Sequence, residues 1–143
     1  NKSIQDGIFP DNLKIAKIVP VYKSDDKRTV SNYRPISVLP AFSKVLERLV
    51  YNRLLDFINK NEIFSKNQYG FRHQISTSIA LIDLVDQIST SIENNEHTVG
   101  IFLDLAKAFD TVNHNILLKK LNHYGIRGVP HNWFKNYLRN RYQ

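Results

Sequence analysis

The stretch FLDLAKAFD, residues 102–110, ends an apolar run on an acid. Val99 to Leu103 is apolar except for Gly100 and stops at Asp104; Asp110 follows six residues later, directly after Phe109. TVGIFLD (98–104) predicts a strand apolar on both faces, as buried central strands are. Period-two alternation then puts Gly100, Phe102 and Asp104 on one face and Val99, Ile101 and Leu103 on the other. Asp104 would stand at the strand's carboxyl end, where a rigid element can aim a carboxylate at a metal. Hard Mg²⁺ favours such oxygens, and two ions can activate a nucleophile and steady a leaving group. An Asp ending a strand is also a common turn or cap residue.

Outward from this stretch the chain mixes strands and helices without regular βαβ alternation, which favours an α+β fold. Upstream, QDGIFP reads as a helix end with Gly7 as its stop and Pro10 beyond. KIAKIVPVYK (14–23) and YRPISVLP (33–40) read as two strands joined by the polar SDDKR, a hairpin with a basic tip; Pro20 pushes its strand toward a sheet edge. Phe42, Val45, Leu46, Leu49, Val50, Leu54 and Ile58 recur at helical spacing over 41–59. A loop with its bend at Gly70 follows. Ser76 or Thr77 then caps a second helix with the stripe Ile79, Ile82, Val85, Ile88 and Ile92. Asp110 or Asn113 starts a third helix stopping at Gly125, and PHNWFKNYLRNR predicts a fourth, with Pro130 in its first turn and Trp133, Phe134 and Tyr137 on its core side.

The 143 residues predict one domain, or part of one, with a sizeable core. There is no Cys, so no disulfide framework and no thiolate metal site, which suits an intracellular protein. No apolar run is long enough to span a membrane, and the chain opens without Met or a signal pattern, as if cut from something longer. The formal charge is +7, and residues 1–53 hold ten Lys and Arg against five acids, which makes polyanions candidate partners. The five histidines show no metal-ligand spacing and read as surface or packing residues.

FLDLAKAFDTVNHNILLKKLNHYGIRG resembles the first catalytic motif of non-LTR (LINE-type) retrotransposon reverse transcriptases with its following helix. LKIAKIVPVYKSDDK, NYRPISVLPAFSKVLERLVYNRL and NQYGFRHQISTSIALIDL resemble that family's fingers motifs in the same order. The resemblance covers almost the whole chain and implies a right-hand polymerase piece, with fingers in 1–72 and part of the palm in 73–143. It implies RNA-directed DNA polymerase activity in the complete protein. The substrates would be an RNA template, a DNA primer and deoxynucleoside triphosphates, the cofactor Mg²⁺ or Mn²⁺. The site of action would be the nucleus after cytoplasmic synthesis, with no membrane involved.

Carried over residue by residue, Asp104 resembles the catalytic metal-binding aspartate, with the Leu105 carbonyl as its companion ligand. Phe109 matches the aromatic position beneath the incoming sugar, where a ring leaves no room for a 2′-hydroxyl. Lys23 and Arg34 resemble fingers residues that grip the triphosphate. Arg34 is held extended by Pro35, and its guanidinium fork suits phosphate. Gln68, Gly70, Arg72, Ser76 and Thr77 match a motif lying along the template; Gly70 would permit close backbone approach, and Arg72 would meet phosphate. Asp110 fits a cap or a pairing with a nearby base. The family's paired-aspartate motif, its template-packing glycine motif and the thumb find no match in this sequence. The alternative class is a non-catalytic nucleic-acid-binding module derived from such an enzyme.

Overall fold

Two Ile/Val-rich segments meet in an antiparallel pair, β1 (Lys17–Tyr22) and β2 (Tyr33–Val38), with Lys17 opposite Val38 and Tyr22 opposite Tyr33. This computed structural model describes residues 2–143. Pro20 faces Pro35 across the pair; among the described residues the sheet has two strands, so both are edges and each tolerates the missing donor. The connecting loop is held by its own polar atoms. Asn32 Nδ2 donates to the Asp26 carbonyl at 2.9 Å, Tyr33 Oη to the Lys27 carbonyl at 2.9 Å, and the Arg28 N–H to Asp26 Oδ1 at 2.9 Å.

The helices are α1 (Lys2–Asp6), α2 (Ala41–Lys60), α3 (Thr77–Glu93), α4 (His114–His123) and α5 (Gly128–Leu138). The α+β expectation holds at this level. Gly7 stops α1 at φ 68°, and a Cβ there would lie 3.0 Å from the Val129 carbonyl oxygen, so backbone conformation and close packing both require glycine. Ser76, not Thr77, caps α3, accepting from the Ile79 N–H. Asn113, not Asp110, caps α4: its Oδ1 accepts from the Asn115 and Ile116 N–H groups at 3.0 and 3.2 Å. Asn113→Ala should cost about 1 kcal/mol, read as a lowered urea midpoint with unchanged slope; an unchanged midpoint would deny the cap its role. Gly125, at φ 95°, follows α4 as expected.

The chain divides into two compact units, one made of the residues up to Asp56 with Val112–Gln143, the other Phe57–Thr111. In the first, Phe9 and Trp133 are buried with ring centroids 5.5 Å apart, and Tyr137 stacks on Trp133 at 5.1 Å. Trp133 Nε1 donates to Ser3 Oγ at 3.1 Å, and the Phe9 N–H to Asn136 Oδ1 at 2.9 Å, which ties α1 to α5. Glu47 Oε1 accepts from Tyr137 Oη at 2.9 Å and pairs with Arg141 at 3.4 Å, while the Arg141 guanidinium lies 4.0 Å from the Tyr137 ring centroid. Burial, then donation to Glu47, pushes the Tyr137 hydroxyl up to about 12, so it stays a donor throughout the working pH range.

Two expectations need correction. The run 98–104 forms no strand; its side chains lie in solvent, Phe102 being 87% and Leu103 88% exposed. β1 and β2 pair with each other, and no described strand is left to pair with this run. An extended segment without a ladder partner leaves its backbone groups to water. Nor is the core sizeable: Phe9, Ala16, Ile126 and Trp133 are its buried apolar members among the described residues. Helix α3 forms where its stripe predicts, yet Ile82, Val85 and Ile92 remain exposed, because a helical period sets a face without supplying its cover.

Candidate nucleotide and nucleic-acid site

In the first unit the hairpin register decides which side chains share a face. Lys23 lies one residue beyond β1, and its N–H donates to the Asn32 carbonyl at 2.8 Å, continuing the pairing. Alternation puts Lys23 with Lys17, Val19 and Val21, and with Arg34, Ile36 and Val38 opposite. Because Val21 faces Arg34, Lys23 and Arg34 are diagonal neighbours on one face, the spacing at which two long cations can share one polyanionic group. Both are exposed, as are the valines and Ile36 beside them. Lys27, by contrast, lies 5.5 Å from the Tyr22 ring centroid.

In the second unit the residues after Asp104 fold back as a turn. Lys107 takes φ 52°, and its carbonyl accepts the Asp110 and Thr111 N–H groups at 2.9 and 3.1 Å. Asp104 is exposed, with the Leu105 carbonyl next in the chain. Carboxylate and carbonyl oxygens are the hard donors that Mg²⁺ or Mn²⁺ prefers, so the chemistry of this pair fits such an ion. Among the described residues no group of three or more His, Asp or Glu could hold a metal.

Phe109 is 78% exposed, and its main aromatic contact is Phe71, edge to face at 5.9 Å. Sequence reasoning passed over Phe71, although it sits inside QYGFR. It is Phe71 (φ 61°) and Gln74 (φ 64°), not Gly70, that take left-handed backbone in this loop. A Cβ on Gly70 would meet nothing within 4 Å, so nothing inside the chain demands glycine there. A bulky ring at positive φ is strained, and such strain collects at functional loops.

The residues that the resemblance sets along the template organise this loop. Gln68 Nε2 donates to the Gly70 carbonyl at 3.4 Å; Arg72 reaches the Ser65 and Gln68 carbonyls, each at 3.5 Å, and its guanidinium lies 5.2 Å from the Phe64 ring centroid. Contacts this long are weak, so the guanidinium can exchange them for a phosphate. Tyr69 donates to Asp83 at 2.7 Å, which fastens the loop to α3 and raises the Tyr69 pKa, chiefly through that hydrogen bond. Ser76 is occupied as the α3 cap, whereas Thr77 is exposed in the first turn. Lys23 and Arg34 thus lie in one unit, and Asp104, Leu105, Phe109 and the Gln68–Thr77 residues in the other.

Comparison with known proteins bears out the family resemblance. The family model for reverse transcriptase (RNA-dependent DNA polymerase) matches residues 22–143. The RNA-directed DNA polymerase from mobile element jockey of Drosophila melanogaster is 40% identical over 84% of this chain and 13% of its own length. From the same organism, the probable RNA-directed DNA polymerases from transposon BS and transposon X-element are 33% and 35% identical, each over 93% of this chain. The chain spans 15% of the length of each of these two relatives. A family match that begins at the end of β1 and takes in β2, the Gln68–Thr77 loop and the Asp104 turn leaves one conclusion: the chain belongs to the reverse transcriptase family.

Proposed function

We propose that this chain is the fingers and first palm portion of an RNA-directed DNA polymerase, with the fingers in 1–72 and the palm beginning at 73. Its substrates are an RNA template, a DNA primer and deoxynucleoside triphosphates. The observation that carries the reading is the hairpin register, which gives Lys23 and Arg34 a common face beside an apolar strip. Arg34 offers a planar fork for two phosphate oxygens, and Lys23 adds a point charge. Asp104 and the Leu105 carbonyl would hold Mg²⁺ or Mn²⁺, which when bound stabilises charge on the reacting phosphate. Phe109 presents its ring to the sugar, while Gln68, Gly70, Arg72, Ser76 and Thr77 lie along the template. Exposure of Asp104 and Phe109 supports these roles, since neither is absorbed into packing. Action on a DNA primer fits a nuclear site of work after cytoplasmic synthesis.

Primer extension tests the proposal. The complete protein containing residues 1–143 should extend a DNA primer on an RNA template with Mg²⁺ and deoxynucleotides. The 143-residue chain should bind the hybrid without extending it, because one carboxylate motif does not complete a two-metal site. Template-dependent product from the chain alone would overturn this division of labour. Binding without extension by the complete protein would instead identify a nucleic-acid-binding module.

A further inference from the structure

Residues 111–143 hold six Lys and Arg and three His, and no Asp or Glu. Helices α4 and α5, both in the first unit, border an open depression of about 490 Å³ lined by Leu118, Lys119, Asn122, His123, Arg127 and His131. Four of those six side chains carry or can carry positive charge, and no carboxylate lines the wall. Among the described residues neither Lys119 nor Arg127 has an ion-pair partner, in contrast to Arg141, which is paired with Glu47.

The arrangement is held by polar contacts. His131 Nε2 lies 3.1 Å from the Leu118 carbonyl; a carbonyl can only accept, so that nitrogen carries the proton and links α5 to α4. Arg127 Nε donates to the Asn122 carbonyl at 3.4 Å, a weak contact that sets the guanidinium at the end of α4 and leaves it free to exchange partners. Its two Nη groups find no protein acceptor among the described residues.

We propose that this depression is a second nucleic-acid contact, in which Lys119 and Arg127 bind successive backbone phosphates and His123 adds a hydrogen bond, while His131 holds α5 against α4. The proposal rests on the polymerase reading for the identity of the polyanion. It places a backbone contact on helices to which that reading gives no role. Like-charged side chains that line one depression without counter-charges suit a ligand that carries repeated negative charge. A phosphodiester chain does so, and neutralising it releases counterions. The depression is open, which fits a strand laid across it.

The test is fluorescence anisotropy of the 143-residue chain with a labelled RNA–DNA hybrid, titrated across salt concentrations. Removing two phosphate contacts should reduce the steepness of log affinity against log salt by about 1.4–1.8. That is the expectation for Lys119→Gln with Arg127→Gln, whereas Lys119→Arg with Arg127→Lys should keep the native slope. The loss should add to that from Lys23→Gln with Arg34→Gln. Amide shifts on adding the hybrid should appear at residues 118–131 as well as in the hairpin, a readout that needs no variant. A native slope in the glutamine pair, with shifts confined to the hairpin, would overturn the second contact and leave the polymerase reading standing. A chain that ignores the hybrid but binds phosphatidylserine vesicles would overturn both.

Discussion

Asp104→Asn in the complete protein should reduce primer extension by about 10³-fold or more, because a metal contributes several kcal/mol to the reacting phosphate and each 1.36 kcal/mol is tenfold in rate. An uncharged amide is a poor ligand for a hard divalent ion. Folding should change by less than about 0.5 kcal/mol, since the side chain is exposed in an irregular segment. The two readouts together identify a ligand: a turn residue would lose stability and activity in parallel, whereas a ligand loses activity alone. Extension by each purified variant across Mg²⁺ concentrations, with circular dichroism for folding, measures both. Native extension by Asp104→Asn would remove Asp104 from the metal site.

What could be read in advance divides along a physical line. Local signals carried well: the Ile/Val segments around a polar tip became β1 and β2, the apolar spacing over 41–59 became α2, and Gly7 and Gly125 ended their helices. Each depends on residues within a turn or two of one another. Trp133 was also legible as core, but its partners Phe9 and Ser3 were not, because they join the ends of the chain. Glu47 with Tyr137 and Arg141 is the same case: a carboxylate on α2 meets two residues at and just beyond the end of α5, about ninety positions away, and no periodicity announces it. The strand expected at 98–104 failed for the converse reason. Its composition was suited to a buried strand, but a strand is completed by its neighbours, and none of the described segments pairs with it. At the site, the shared face of Lys23 and Arg34 followed once the hairpin register was fixed. The strained Phe71 did not, because backbone sign at a loop aromatic has no local sequence marker.

Phe109→Val should leave extension with deoxynucleotides measurable while raising ribonucleotide use about 10- to 100-fold relative to the native protein, the scale on which a few methylene-sized groups discriminate between substrates. The ring is exposed and touches Phe71 edge to face, so removing it costs that aromatic contact and opens space where the sugar would lie. If Phe109 were only one half of an aromatic pair, Phe71→Leu and Phe109→Val would act alike, lowering rates for both sugars without changing their ratio. If Phe109 meets the sugar and Phe71 supports it, the ratio moves strongly in Phe109→Val and weakly in Phe71→Leu. Single-nucleotide incorporation of deoxy- and ribonucleotides by both variants of the complete protein separates these outcomes. An unchanged ratio in Phe109→Val would deny the ring its place against the 2′ position.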